Sequence, residues 1–264
     1  MTTLFISDLH LDASRPDIGA QFLHFLRTEA VTADALYILG DLFESWIGDD
    51  DPNAHFATIK RALRDVVAHD VPVYFMHGNR DFLVGDGFAA DTGVQLLGDP
   101  LVRDIHGRRV LLSHGDAYCT DDTQYQAVRH MTRDPAWQAA MLAKPLAERQ
   151  AIATQARADS AAHGSTLDER ISDVNPDAIL SVMREHDVDL MLHGHTHRPA
   201  VHSLELDGKP ARRIVLGDWY EQGSVVRWDD DGPMLAAMER TATGYVCRAV
   251  RDAAVKTELP GLVY

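Results

Sequence analysis

The sequence predicts an α/β fold in which helices cover β-sheet structure, and two features of the chain indicate it. Short apolar runs rich in Ile, Val, Leu and aromatic residues alternate with segments whose apolar residues recur with helical spacing. Each run ends in Gly, Asp, His or Asn, as buried strands commonly do. Alternation of this kind predicts helices on both faces of a sheet, with functional groups beyond the carboxyl ends of the strands.

The apolar runs that carry this prediction are short, continuous and rich in branched side chains. They are Thr3–Ser7, Ala35–Leu39, Val71–Met76, Val110–Ser113 and Leu190–Leu192. Two amphipathic helices are predicted between the first three of these strands. Their apolar faces consist of Ile18, Phe22, Phe25 and Leu26 in the first helix, and of Phe56, Ile59, Leu63, Val66 and Val67 in the second.

The second half of the chain contains further apolar segments that are predicted as strands. They are Ala200–Glu205, Arg212–Leu216, Gly223–Trp228 and Pro233–Glu239. The turn-forming pairs Asp207-Gly208 and Asp231-Gly232 separate them, which is typical of hairpins. We expect these later strands to form a second sheet.

A long insertion, Thr120–Arg170, separates the fourth and fifth of the early strands. It is rich in Ala, Gln, Arg and Met, and Pro135 and Pro145 stand where helices are expected to begin. We predict two or three helices that form a cap, residues 120–170, within a single domain that spans residues 1–264. The alternative is a set of packing helices that do not contact a substrate.

Composition excludes several classes of function. A formal net charge of -15 argues against a broad contact with nucleic acid. The two cysteines, Cys119 and Cys247, lie far apart, which disfavours a disulfide framework and a thiolate zinc site. No apolar run approaches the roughly 18–20 residues that span a bilayer, and the first predicted strand leaves no room for a signal peptide. We expect a cytoplasmic enzyme without an obligate protein partner.

Residues of metal-binding type follow each of the five early strands. The clusters are Asp8-Leu9-His10, Gly40-Asp41, Gly78-Asn79-Arg80-Asp81, His114-Gly115-Asp116 and His193-Gly194-His195-Thr196-His197. Carboxylate, imidazole and amide groups without a thiolate suit hard or borderline divalent cations. Each cluster alone would more often be structural. Together they predict a two-metal phosphoesterase site, at which all five clusters meet at one edge of a sheet.

We assign these residues to two ions according to their charge and the distance that each side chain can span. The ligands assigned to one ion are Asp8, His10 and His197, and those assigned to the other are Asn79, His114 and His195. Asp41 carries two oxygens and is expected to bridge the ions at the ~3.5–4 Å that two-metal hydrolysis uses. Two such dications attract phosphate and lower the pKa of a water between them, so no protein nucleophile is required. His193 is expected to support a ligand or to serve a structural role.

The motif set resembles that of the calcineurin-like metallophosphoesterases. The residues that carry the resemblance are Asp8-x-His10, Gly40-Asp41, Gly78-Asn79, His114 and Gly194-His195-x-His197. Arg80 stands where many members of the superfamily have His after the Asn. Together with Asp41–Trp46, Ser113–Asp116, His193–Pro199 and Leu216–Ser224, it makes almost the whole chain similar to the UDP-2,3-diacylglucosamine hydrolase family.

This resemblance implies a β-sandwich flanked by helices (αββα), with a helical cap, and two Mn²⁺ ions as cofactors. It further implies hydrolysis of UDP-2,3-diacylglucosamine, by attack of water at the α-phosphorus, to UMP and 2,3-diacylglucosamine 1-phosphate (lipid X). That reaction belongs to lipid A biosynthesis and implies peripheral association with the cytoplasmic face of the inner membrane. The alternatives are another phosphodiesterase or pyrophosphatase of the same fold, acting on a nucleotide or dinucleoside polyphosphate, and a binding scaffold without catalysis.

The resemblance also assigns roles to individual positions. It implies catalytic roles for Asp41, Asn79, Arg80 and His195, and substrate contacts at Asn79, Arg80, Asp122, Ser160 and His195. Gly164 and Leu167 occupy positions where the family usually has Asn and Lys, so a cation is absent there. Because a sugar phosphate is a better leaving group than an alkoxide, a fixed charge at Arg80 matters more than a general acid.

The predicted cap carries more apolar side chains than its own packing requires. They are Met131, Trp137, Met141, Leu142, Leu146 and Ile152. A soluble enzyme that handles two acyl chains needs an apolar groove, because burial is worth about 0.8 kcal/mol per methylene. We therefore expect the cap to hold the acyl chains, whereas packing between helices is the alternative for several of these residues.

Overall fold

The computed structural model describes residues 1–164, 171, 173–241, 244–249 and 256–257. In chain order the strands are β1 Thr3–Ile6, β2 Ala35–Leu39, β3 Val73–Met76, β4 Gln95–Leu97, β5 Leu101–Ile105, β6 Arg108–Leu112, β7 Leu190–His193, β8 Ala200–Leu206, β9 Lys209–Val215, β10 Gly223–Asp229, β11 Gly232–Thr241, β12 Gly244–Ala249 and β13 Lys256–Thr257. The α-helices are α1 Pro16–Thr28, α2 Ala54–Ala68, α3 Asp86–Thr92, α4 Thr123–Thr132, α5 Pro135–Leu142, α6 Leu146–Gly164 and α7 Pro176–Glu185. The early strands lie where the sequence predicts them, with small shifts at their ends.

The strands form two sheets. One has the order β12-β11-β10-β1-β2-β3-β4 and the other the order β13-β8-β9-β7-β6-β5. In the first sheet β1, β2, β3 and β4 are parallel, and in the second β6, β7 and β9 are parallel. The carboxyl ends of parallel strands lie at the same edge of a sheet, so the residues that follow these strands come close together.

Three apolar layers show that the sheets form a sandwich between helices. Phe5 and Tyr37 of the first sheet pack with Leu112 and Leu192 of the second in a buried cluster between the sheets. The alternate residues of the first sheet pack against α1 and α2, and those of the second sheet pack against α7. Because side chains alternate along a strand, each sheet buries both faces. The predicted αββα architecture is therefore confirmed.

Two expectations about the sheets are wrong. Of the four later strands that the sequence predicts, the two that correspond to β8 and β9 join the second sheet, whereas β10 pairs with β1 in the first, with Phe5 opposite Val226. The ligand-bearing strands are also divided, since β1, β2 and β3 belong to one sheet and β6 and β7 to the other. The clusters thus meet where the ends of two sheets face each other, because packing between the sheets brings the strand ends together.

The helices that cover the first sheet follow the predicted pattern. Helix α1 begins with Pro16 in its first turn and buries Ile18, Phe22, Phe25 and Leu26. Helix α2 buries Phe56, Ile59, Leu63 and Val66, whereas Val67 is only partly buried. The side chain of Asn53 caps α2 by accepting a hydrogen bond from the His55 amide.

The insertion folds as the three helices α4, α5 and α6, and residues 165–170 of the predicted segment, which include Leu167, lie outside the described residues. Its apolar side chains divide into two groups. Met141 is buried and, with the partly buried Trp137 and Ile152, packs on the main core. Val128, Met131 and Leu142 are exposed. Among the described residues, no helix combines the length and apolar character needed to cross a membrane.

Candidate metal centre

Five of the seven predicted ligands have an unusual backbone conformation. The φ angles of Asp8, His10, Asp41, His195 and His197 are 56°, 51°, 52°, 68° and 55°, in the left-handed region that residues other than glycine rarely adopt. Residues held in such conformations cluster at functional sites because the surrounding structure must compensate for the strain. Here the conformations turn the chain sharply after each strand and direct these side chains toward one another.

Asp81 organises the two loops that follow β2 and β3. Its buried carboxylate accepts hydrogen bonds from the amides of Gly78 at 2.8 Å, Leu42 at 2.7 Å, and Asp41 and Phe43 at 3.3 Å. Burial and the nearby Asp41 carboxylate raise the pKa of Asp81 to about 7. Sequence analysis assigned no role to Asp81, although it lies in one of the motifs.

Close packing leaves no room for larger side chains in these loops. A Cβ at Gly78 would collide with the Asp41 side chain, and one at Gly194 would collide with Ser7 and Asp8. Because glycine has no side chain, the backbone at Gly78 can pack against Asp41, and the backbone at Gly194 can pack against Asp8.

The first predicted ligand group lies together at the end of β1. The Nε2 atoms of His10 and His197 are 3.1 Å apart, and His197 Nε2 is 3.5 Å from Asp8 Oδ1. One ligand atom from each of the three residues lies within 4.8 Å of the others, an arrangement that could hold a metal ion. Among the described residues, the buried Asp8 Oδ1 accepts no hydrogen bond, which fits a coordinating atom.

Asp41 lies between the two predicted groups. Its Oδ2 is 3.8 Å from His10 Nε2, and its Oδ1 is 3.8 Å from His114 Nε2. Asp8, Asp41 and His114 form a second set of donors within 4.8 Å of one another. The two oxygens of one carboxylate thus face histidines from different sheets, as a bridging ligand requires.

The second predicted group meets at Asn79. Its Oδ1 is 2.9 Å from His114 Nε2 and 2.9 Å from His195 Nδ1. His114 Nδ1 lies 2.9 Å from the carbonyl oxygen of Leu39, which leaves Nε2 free to face the site. The structure therefore brings together all seven predicted ligands, from the ends of β1, β2, β3, β6 and β7.

The carboxylates and histidines of the site shift one another's pKa values. Burial opposes ionisation of Asp8, but the neighbouring His197, His114 and His10 hold its pKa below the usual range. Burial lowers the pKa of His114, but the nearby carboxylates outweigh it and raise that pKa to about 9. Burial and the charge of His114 lower the pKa of His195 to about 4. The raised pKa keeps a proton on His114 at neutral pH, and binding of a divalent ion would displace that proton, because imidazole coordinates metals in its neutral form.

His193 lies outside both groups. It is buried, its Nδ1 is 2.9 Å from the Gly194 carbonyl oxygen, and its Nε2 is 3.3 Å from Arg213 Nη1. Burial and the Arg213 charge lower the pKa of His193 to about 3.

Arg80 lies beside Asp41 with an incompletely paired side chain. Its amide donates a 2.8 Å hydrogen bond to Asp41 Oδ1. Within the part of the chain that the structure describes, its buried Nε has no hydrogen-bond partner. A buried guanidinium nitrogen without a partner is costly unless a ligand supplies the acceptor, which suits an anion next to the predicted ions.

Asp116 attaches the cap to this site and was not predicted to do so. Its fully buried carboxylate accepts a 2.9 Å hydrogen bond from the Tyr125 hydroxyl and lies 3.0 Å from Arg129 Nε and 3.3 Å from Arg133 Nη2. Burial opposes ionisation, but His114 and both arginines hold the pKa of Asp116 below its usual range. The Tyr125 ring then lies 5.7 Å from the ring of His195.

The two predicted substrate-contact residues on the cap differ in exposure, since Asp122 is buried and Ser160 is exposed. Asp122 is buried, caps α4 through the Tyr125 amide, and lies 2.9 Å from His163 Nε2 on α6. Ser160 is exposed on α6, and Gly164 is the last residue of that helix. Asp122 thus joins two cap helices, a contact that the sequence did not indicate.

Comparison with known proteins agrees with this geometry. The family model of the calcineurin-like phosphoesterases matches residues 1–199, and the chain belongs to this family, which binds divalent metals. A protein named UDP-2,3-diacylglucosamine hydrolase from Stenotrophomonas maltophilia is 53% identical over 247 residues, covering 91% of this chain and 100% of the relative. One of the same name from Xanthomonas axonopodis pv. citri is 54% identical over 242 residues, covering 89% and 98%. Within the phosphoesterases, the chain belongs to the family of these hydrolases.

Proposed function

We propose that this protein hydrolyses the pyrophosphate bond of UDP-2,3-diacylglucosamine, releasing UMP and 2,3-diacylglucosamine 1-phosphate (lipid X) for lipid A biosynthesis. The observation that carries the proposal is the position of Asp41 between two groups of metal donors. The Arg80 amide is bonded to Asp41, and the buried Arg80 Nε has no hydrogen-bond partner among the described residues. More than half of the aligned residues are identical to those of relatives that bear the name of this activity.

We assign one divalent ion to Asp8, His10 and His197, a second to Asn79, His114 and His195, and Asp41 to both. The distances between their donor atoms and the absence of thiolates from these seven side chains support a divalent ion of hard or borderline character, and the resemblance to the hydrolase family favours Mn²⁺. Two such ions would supply positive charge for the phosphates and activate a water molecule for attack at the α-phosphorus.

The chain's own residues position the pyrophosphate. The Arg80 amide is bonded to Asp41 Oδ1, which fixes the backbone of Arg80 beside the proposed metal centre. A fixed cation there stabilises the charge that develops on the leaving sugar phosphate. Asn79 Oδ1 lies 2.9 Å from His195 Nδ1 and 2.9 Å from His114 Nε2, the nitrogen that faces Asp41 Oδ1. We assign Asn79 and His195 both to metal binding and to substrate contact.

Residues 120–170 act as a cap within a single metallophosphoesterase domain that spans residues 1–264. Asp122 and Ser160 are assigned to substrate contact on the cap, and the exposed Val128 and Met131 on α4 are assigned to the acyl chains. The support is that α4 buries none of its residues while Asp116 holds it beside the site. The same apolar surface would let the protein associate peripherally with the cytoplasmic face of the inner membrane.

The test is an assay of the purified protein with Mn²⁺ on UDP-2,3-diacylglucosamine, a dinucleoside polyphosphate and a cyclic nucleotide. We expect UMP to be released from the lipid substrate only, and hydrolysis in ¹⁸O-labelled water to place the label in UMP. The Asp41→Asn variant, of nearly the same size, serves as the inactive control. Preferential cleavage of either nucleotide substrate, or label in the sugar phosphate, would contradict the proposal.

A further inference from the structure

Two of the histidines in the metal centre have a carboxylate beside the nitrogen that faces away from the site. His10 Nδ1 lies 2.9 Å from Glu44 Oε2, and His197 Nδ1 lies 3.5 Å from Asp218 Oδ2. A carboxylate at that position holds the proton on Nδ1 and leaves the Nε2 lone pair for a metal ion. The Nε2 atoms of the two rings face each other at 3.1 Å.

Glu44 differs from Asp218 in having a second partner on the cap. Its other oxygen, Oε1, lies 3.2 Å from Arg157 Nη2, and Arg157 is part of α6. One carboxylate therefore contacts a predicted metal ligand through one oxygen and a cap helix through the other. The side chain of Glu44 is 19% exposed and that of His10 is 3% exposed, so the contact to His10 is largely shielded from water.

The backbone keeps Glu44 beside His10. The Glu44 amide donates to the carbonyl oxygen of Leu11 at 3.2 Å, and Leu11 forms an isolated parallel bridge with Phe43. The loops after β1 and β2 therefore determine the place of the Glu44 carboxylate.

Helix α6 is anchored independently at its start. Arg149, only 3% exposed, donates to the Ile47 carbonyl oxygen at 2.6 Å and to Asp50 Oδ1 at 2.7 Å. Arg157 lies about two turns further along the helix and is 40% exposed. The position of Arg157 therefore reports on the placement of α6 over the site, while Arg149 keeps the start of the helix in place.

We propose that Glu44 is a positioning residue that couples the cap to the metal centre. Arg157 orients the Glu44 carboxylate, and Glu44 in turn fixes the ring of His10 toward the ion that we assign to Asp8, His10 and His197. A displacement of α6 would release Arg157, let Glu44 turn away from His10, and weaken the hold on that ion. The inference rests on the metal centre of the proposed function and adds the residue that joins it to the cap.

The test is a set of Mn²⁺ titrations without substrate, in which the free ion is followed by electron paramagnetic resonance. We expect Glu44→Gln to weaken one of the two Mn²⁺ affinities about 10-fold or more, as loss of such a partner does in other metal sites. Arg157→Met, which keeps the aliphatic stem, should weaken the same affinity by a smaller factor. Each variant is first shown to keep the wild-type thermal unfolding midpoint in the presence of chelator.

A double-mutant cycle separates coupling from a general loss of structure. Arg157→Met should have no further effect on Mn²⁺ affinity in the Glu44→Gln background, but should keep its full effect in the Asp218→Asn background. Asp218→Asn is the matched control, because Asp218 faces a metal-centre histidine without a described contact to Arg157. An unchanged Mn²⁺ affinity in Glu44→Gln, or an equal effect of Arg157→Met in all backgrounds, would overturn the inference.

Activity supplies a second readout. At limiting Mn²⁺ the kcat of Glu44→Gln should fall while KM for the lipid substrate stays near the wild-type value, and excess Mn²⁺ should restore kcat. Failure of excess Mn²⁺ to restore kcat would count against a role through His10. Because the titrations need no substrate, a wrong substrate assignment leaves them interpretable. A wild-type protein that binds fewer than two Mn²⁺ ions would instead overturn the proposed metal centre.

Discussion

The metal centre and the cap are held by different kinds of interaction. In the centre, buried carboxylates such as Asp81 accept several backbone hydrogen bonds. Residues in the left-handed backbone conformation, such as Asp41, set the direction of their side chains. The cap has few buried side chains and is fastened by charged groups, chiefly Asp116 with Arg129 and Arg133, and Arg149 with Asp50. Buried carboxylates and backbone hydrogen bonds preorganise the donors of the centre, whereas segments with few buried side chains are the ones that open most readily. Changes in the two regions should therefore affect different measured quantities.

The largest expected effect is in the centre, at the residue shared by both groups. Asp41→Ala should abolish turnover and remove at least one metal ion, because the two oxygens of Asp41 lie 3.8 Å from His10 Nε2 and 3.8 Å from His114 Nε2. Metal content by elemental analysis and UMP release are the measurements. A folded Asp41→Ala protein that retains both ions would contradict the bridging assignment.

A smaller effect should follow from the loss of charge beside the centre. Arg80→Ala should lower kcat by roughly 10²–10³, the size expected for one oxyanion-type contact. Both ions should stay bound, because the hydrogen bond to Asp41 comes from the backbone amide, which the substitution keeps. Arg80→Lys, which keeps the charge but not the planar fork, should recover part of the rate. A near-normal rate in Arg80→Ala would mean that the metal ions alone neutralise the pyrophosphate.

The junction between the regions should respond through stability as well as rate. Asp116→Asn leaves two arginines without their buried partner, so we expect a loss of about 1–3 kcal/mol in the free energy of unfolding and a raised KM for the lipid.

The pH dependence has a definite sign. The pKa of Asp116 is lower in the folded protein than its ordinary value of 3.8, so its contribution is present above that value and is lost as pH falls toward the folded pKa. Urea unfolding in chelator at several pH values measures this contribution. As the pH falls, the free energy of unfolding should decrease less steeply for Asp116→Asn than for the wild-type protein. If the free energy of unfolding depends on pH equally in both proteins, Asp116 is not the source of the acid sensitivity.

The smallest effect should appear on the surface of the cap. Met131→Gln, at a side chain that is 45% exposed, should raise KM for the diacyl substrate several-fold, because each buried methylene is worth about 0.8 kcal/mol. Met234→Gln is the matched control, since Met234 is 42% exposed on β11, which lies in the first sheet and not in the cap. Equal KM values for the two variants would argue against acyl binding at α4.

The sequence predicted the strands and the side chains that meet beyond their ends, because both depend on local patterns. Buried strands such as Ala35–Leu39 are continuous apolar runs, and the residues that follow a strand are known as soon as the strand is located. Asp8, His10, Asn79 and His197 could be listed for this reason before their distances were known. The identity of each side chain also limited its chemistry, which is why carboxylates, imidazoles and an amide indicated divalent metals.

Only the tertiary structure decided how distant segments combine. The pairing of β10 with β1 depends on which sheet edge is available, and an apolar run does not specify its partner strand. The roles of Asp81, Asp116 and Glu44 likewise come from contacts with residues or helices whose relative placement the chain pattern leaves open. Hydrogen bonds and ion pairs between distant residues depend on a few tenths of an ångström in position, and the packing of two sheets and a cap determines those positions.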